Sequence, residues 1–150
     1  MTKITNKKEN MILLYNILSY NNSMKLPLHI IVPGVILLIL DSIYISFIRH
    51  MFEMQIISVQ RVSMQFRMLG AVICYALLIF GLHHFILKPH KSILDAMLFG
   101  LVIYGVYEST NYATLKKWQL KFLIVDTLWG GVLLGLTTYL TYKFLPKIMK

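Results

Sequence analysis

Residues 93–142, "ILDAMLFGLVIYGVYESTNYATLKKWQLKFLIVDTLWGGVLLGLTTYLTY", decide the fold. Two apolar blocks, Ile93–Leu115 and Leu120–Tyr142, flank a short basic connection at Lys116 and Lys117. Each block is close to the ~20 residues a helix needs to cross a bilayer core. A connection this short makes the two helices antiparallel neighbours. The same stretch carries Glu108, Thr110, Asn111, Thr114 and Asp126 at depths where lipid is the expected solvent.

Two further blocks lie upstream, Leu26–Ile48 and Met68–Leu87, the second joined to Ile93 by a turn holding Lys88, Pro89 and Lys91. Composition agrees with a membrane solvent. Of 150 residues, 57% are hydrophobic and 14% charged, and mean hydropathy is +0.67. Soluble domains carry roughly 25% charged residues, so this chain cannot cover its apolar surface with polar groups. A transmembrane barrel would need at least about eight alternating segments of ~10 residues, which the sequence lacks. The expected fold is an all-α four-transmembrane-helix bundle with short hairpin connections and one longer interfacial loop, Arg49–Arg67. Phe52, Ile56 and Val59 give that loop a helical spacing.

The chain divides into an N-terminal extension (1–23), expected to be disordered or interfacial, a single transmembrane domain (24–146) and a basic tail (147–150). The apolar run Met11–Tyr20 is too short to span and no small-residue cleavage site follows it. Met24 is a possible alternative start. Trp118, Tyr112 and Phe122 at one connection, and Tyr139, Tyr142 and Phe144 at the C-terminal exit, read as interfacial aromatics.

The formal charge of +9 is spread over ends and connections. This suits anionic lipid headgroups at basic loops and excludes a gathered nucleic-acid patch. Lys3, Lys7, Lys8, Lys25, Lys88, Lys91, Lys143, Lys147 and Lys150 fall on one side; Arg49, Arg61, Arg67, Lys116, Lys117 and Lys121 fall on the other. The larger set places both termini in the cytoplasm. Cys74 is the single cysteine, so there is no internal disulfide and no cysteine metal site. His83, His84 and His90 have no carboxylate at ligand spacing and read as interface-level residues, so no metal and no cofactor are expected.

The acidic residues carry the functional signal. Of six, Asp41, Glu108 and Asp126 fall inside spanning blocks. A carboxylate in the bilayer core costs several kcal/mol unless paired, hydrated or protonated. Glu108 lies nine residues before Lys117 and Asp126 nine after, so at ~1.5 Å per residue they share a depth. Asp41, eight residues before Arg49, joins them. Three carboxyl groups in one low-dielectric layer cannot all stay ionised cheaply. On the third helix Tyr104, Glu108 and Asn111 form one stripe with Tyr107 and Thr114 at its edge. On the fourth, Asp126, Trp129 and Gly130 share a face, and Gly131 with Gly135 form a G-x-x-x-G pair for close helix approach. Tyr44 lies one turn beyond Asp41. Polar residues also join membrane helices by hydrogen bonds worth ~1 kcal/mol or less each, and Tyr107, Thr110 and Thr114 fit that role individually. Ser, Thr or Asn would serve it without the ionisation cost of three acids.

"LDSIYI" (40–45), "YGVYESTNYATLKKWQL" (104–120) and "VDTLWGG" (125–131) resemble the motifs of a family of small bacterial membrane proteins catalogued as a domain of unknown function, family number 2177. The resemblance covers about residues 24–145. Carried over by position, it singles out Asp41, Thr110, Asn111, Thr114, Asp126, Trp129 and Gly130. Tyr44 stands where the family pattern has tryptophan, and Glu108 where it has aspartate; both keep the chemical type. The resemblance implies the four-helix fold but no activity. Three function classes follow from the acids: proton- or cation-linked transport or a channel, a membrane-embedded enzyme acting on a lipid or isoprenoid, or an accessory subunit. A homodimer would bring two copies of the site together.

Overall fold

The computed structural model describes the backbone of residues 2–145 and the side chains of residues 28–145. Its helices, in chain order, are α1 (Thr2–Gln60), α2 (Met68–Gly81) continued by a π-helical turn (Leu82–Leu87), α3 (Ile93–Thr114) and α4 (Leu120–Phe144). Four segments are long and apolar enough to cross a membrane: Leu28–Gln60, Met68–Leu87, Ile93–Thr114 and Leu120–Phe144. The protein is an all-α, four-span integral membrane protein, and no strand occurs among the described residues.

The largest departure from the sequence reading is at α1. The first span, expected to end near Ile48 before a connection with helical spacing, runs as unbroken helix to Gln60, and the connection shortens to residues 61–67. At ~1.5 Å per residue the 33 residues from Leu28 to Gln60 run ~50 Å, against ~30 Å of bilayer core. The last turns are held by packing rather than by lipid. Phe52 meets Trp118 and Phe122 edge-on, at 6.3 and 6.1 Å between ring centroids. The Gln55 amide donates to the Lys117 carbonyl at 2.9 Å. Arg61, with φ of 61°, turns left-handed and stops the helix. The backbone of residues 2–27 is assigned to α1, and their side chains lie outside the described residues. The expectations for the N-terminal extension and the basic tail therefore fall outside what is described.

Proline shapes two other places. Pro89 has no N–H to donate, and where α2 approaches it the turns widen so that the Lys88 N–H reaches the His83 carbonyl at 2.8 Å. In α1, Pro33 leaves the His29 carbonyl without its usual helical donor. The His83 imidazole stands against that His29 backbone group. His90 stacks on Tyr142 at 4.5 Å. At the start of α3, Ser92 and Asp95 form a reciprocal capping box, which satisfies two otherwise orphaned backbone donors.

The fourth helix is the hub. It packs along α3 over its length, against α1 on another side, and against the π turn. Leu37, Leu78, Leu82, Leu133, Leu134 and Ala96 form the apolar core below the acids. α2 packs on α1 and comes against α3 and α4 chiefly through its π turn, so toward the α3–α4 connection α2 and α3 diverge.

Glycine sets the α3–α4 distance, and the tightest contact is not the G-x-x-x-G pair. A Cβ on Gly100 would lie 2.0 Å from the Gly130 carbonyl oxygen, so backbone meets backbone there. Gly130 receives the Tyr104 ring, and Gly131 and Gly135 receive Leu101 and Met97. The expected packing role of Gly130, Gly131 and Gly135 is thus joined by Gly100.

Candidate functional site

The site is built from one carboxylate on each of α1, α3 and α4, and each accepts from an aromatic donor. On α1, Asp41 is 7% exposed. Its two oxygens accept from the Trp129 indole N–H at 2.9 Å and from the Tyr75 hydroxyl at 2.6 Å. The Tyr44 hydroxyl donates to Asp126 Oδ1. Tyr44 also lies flat on Trp129, with ring centroids 4.2 Å apart and 8° between planes. A continuous path of donors, acceptors and stacked rings therefore runs Tyr75–Asp41–Trp129–Tyr44–Asp126 across α2, α1 and α4. Tyr44 stands within electrostatic reach of all three acids, and Tyr104 within reach of Asp41 and Asp126.

Glu108 sits apart from that path. Only 1% exposed, its Oε2 accepts from the Trp118 indole N–H at 2.8 Å. It lies within electrostatic reach of Asp126 and beside the Asn111 amide, one turn further along α3. Among the described residues, its second oxygen, Oε1, has no hydrogen-bond partner, and neither does Asn111 Nδ2.

Register fixes the relative depths. α1 and α4 run antiparallel, with Asp41 opposite Trp129, Tyr44 opposite Asp126 and Gln55 opposite Lys117. On the α3 side, Gly100 and Tyr104 meet Gly130, and Gly105 meets Thr127. Extending that register puts Glu108 opposite about residue 124, so the three acids descend over roughly 7 Å in the order Glu108, Asp126, Asp41. They form a staircase, each step held by its own aromatic donor. Among the described residues, no group of three or more His, Cys, Asp or Glu side chains is placed to hold a metal ion.

Not every residue singled out from sequence reaches this centre. Tyr107 is 58% exposed, and Thr110 and Thr114 are exposed beside it. Their hydroxyls bond back to the carbonyls of Val106 and Thr110, at 2.7 and 2.8 Å. Threonine satisfies itself on its own helix in this way and needs no partner across the bundle. Conversely, Trp118 and Phe122, read as interfacial, are buried at 6% and 2% exposure. Their rings close the loop end of the site together with Phe52.

Three contributors escaped the sequence reading. Tyr75 is the one polar-tipped ring in the otherwise apolar "MLGAVICYALLIFG" of α2, and that isolation was its signal. Gln55 lay in a segment expected to be loop. Gly100 gave no signal, since a lone glycine in an apolar helix is ordinary.

Fold and site together define a multi-pass integral membrane protein whose apolar helices bring together three buried, aromatic-bonded carboxyl groups. Within that class, residues 27–143 match the family described as "Predicted membrane protein (DUF2177)", and the chain belongs to that family. Comparison with curated proteins and with solved structures gives no match.

Proposed function

We propose that the protein carries out proton-linked transport, with Asp41 and Asp126 as proton-exchanging groups and the hydroxyls of Tyr75 and Tyr44 as their respective hand-over partners. One observation carries this reading. Among the described residues, every donor that Asp41 and Asp126 receive is an aromatic hydroxyl or indole N–H, with no cation among them. A carboxylate held by Lys or Arg is neutralised permanently, whereas one held by neutral donors can gain or lose a proton without breaking an ion pair. The Tyr44–Asp126 and Tyr75–Asp41 hydroxyls give each acid a group that both donates and accepts, as proton hand-over requires. The apolar core of Leu37, Leu82, Leu133 and Leu134 beneath them acts as the barrier that a transport cycle opens. We read both termini as cytoplasmic, from the distribution of basic residues.

The test is proton flux into proteoliposomes loaded with a pH-reporting dye, under an imposed pH gradient. Wild-type protein should dissipate the gradient faster than empty vesicles, and Tyr44→Phe should slow it by about tenfold. Flux equal to that of empty vesicles refutes the reading.

A second reading has its own observation. α2 and α3 diverge on the side where Glu108 and Asn111 lie, which suits entry of a membrane-borne substrate from the bilayer. Under that reading the protein is an enzyme acting on a lipid or isoprenoid, with one carboxyl as general acid and another as base. Chemical change in extracted lipid after incubation, without proton flux, would favour it.

A further inference from the structure

Glu108 and Asn111 present a pair of unmade hydrogen bonds of opposite sense. Glu108 Oε1 is an acceptor on a side chain only 1% exposed, its other oxygen held by Trp118. Asn111 Nδ2 is a buried donor without a partner, one turn along the same helix face. The Asn111 amide lies within interaction reach of the Glu108 carboxyl group, yet among the described residues neither Oε1 nor Nδ2 closes a hydrogen bond of ordinary length. Buried polar groups in proteins are nearly always satisfied, and an unmade bond at full burial is costly. The pair therefore selects for a group that donates to Glu108 Oε1 and accepts from Asn111 Nδ2.

Few chemical groups do both from a single atom. A metal cation accepts nothing from an N–H, an ammonium has no free lone pair, and an ether or ketone has no proton to give Glu108. A hydroxyl does both. It also fits the surroundings, since Trp118, Phe52 and Phe122 close the loop end with apolar rings. Asn111 is partly exposed.

We propose that Glu108 Oε1 and Asn111 Nδ2 form a binding site for a neutral hydroxyl group, supplied by a membrane-borne alcohol or by water. The site stands apart from the Asp41–Asp126 path. It binds whether or not that path moves protons, and its test reads binding alone.

The probe is a hexadecanol carrying a photoactivatable diazirine in its chain, compared with its methyl ether and with the matching long-chain amine. The full chain is held in phosphatidylcholine nanodiscs, and labelled peptides are identified by mass spectrometry. The alcohol should label the peptides around Tyr104–Thr127 at least fivefold more than either analogue, because each analogue leaves one buried group unpaired. In Glu108→Gln the side-chain carbonyl keeps the Trp118 bond and an NH2 replaces the free acceptor. The pocket then offers two donors, and the alcohol's advantage over the ether should fall to about twofold or less. In Asn111→Leu only the acceptor remains, and the amine should gain on the alcohol. Where the alcohol does not label, an experimental structure with an ordered water bonded to both atoms supports the proposal and makes water the source. Equal labelling by alcohol and ether in the wild type, with no ordered water bonded to both atoms, overturns it. So do ratios unchanged in both variants, or neither alcohol labelling nor a bridging water.

Discussion

A methyl group added at Gly100 tests the geometry that aligns α3 with α4. The new Cβ would fall 2.0 Å from the Gly130 carbonyl oxygen and 2.6 Å from its carbon, where ordinary contact begins at 3.4 Å. Both atoms are backbone, so no rotamer change relieves the clash, and the helices must separate locally by about 1.4 Å. Overpacking of this kind costs ~1–3 kcal/mol, and a site with no side chain to yield belongs at the upper end. Gly70→Ala in α2 is the matched control, because nothing lies within 4 Å of its Cβ. There, helix propensity alone should stabilise by ~0.5–1 kcal/mol. Reversible unfolding in mixed micelles, titrated with a denaturing detergent, should therefore move the midpoint in opposite directions for the two variants. A Gly100→Ala variant as stable as wild type would refute the backbone contact, and with it the register that places Glu108 near Asp126.

Other outcomes follow from particular contacts. Trp129→Phe keeps a ring on Tyr44 and deletes the indole donor to Asp41, which should cost ~1–2 kcal/mol. Tyr75→Phe removes the other Asp41 donor, and the double variant should depart from additivity because both bonds end on one carboxyl. Thr110→Val and Thr114→Val should each stay within ~0.5 kcal/mol of wild type, since those hydroxyls bond only to their own helix. Single cysteines at Lys7, Lys117 and Lys150, in a Cys74→Ser background, should label with Lys117 on the opposite face from the other two; labelling of all three from one side contradicts the topology.

Much of the fold was legible because lipid imposes a simple rule: a run near twenty apolar residues must be a helix that crosses. The boundaries of the last three spans came out within two residues for that reason. The α1 boundary did not, because the helix runs on past the polar pair Arg49 and His50 to Gln60. Beyond them the spacing of Phe52, Ile56 and Val59 marks helix, but the packing of Phe52 and Gln55 on the α3–α4 connection, which joins that helix to the first span, is long-range. Within the site, the carboxylates announced themselves by their cost in hydrocarbon. Their partners did not. Trp118 at the end of an apolar block looks the same in sequence whether it anchors at headgroups or turns inward to an acid. Thr110 and Thr114 show the reverse failure, since a hydroxyl that bonds to its own helix carries the same letter as one that lines a site. Glu108 and Asp126 were expected on one level from the hairpin alone. The register adds a descent that only side-chain contacts between helices reveal.

Carboxyl-to-amide substitution tests the proton-exchange role most directly, because the amide keeps the shape and one acceptor oxygen while removing the proton site. At Asp41 that oxygen can keep the Trp129 indole, and the new NH2 donates to the Tyr75 hydroxyl, which can also accept. Asp41→Asn and Asp126→Asn should fold, shown by wild-type elution in mild detergent and unchanged helical circular dichroism, and should each lower proton flux in proteoliposomes by at least about tenfold. Folded amide variants that carry protons at the wild-type rate would contradict that role and leave the acids as structural joints between helices.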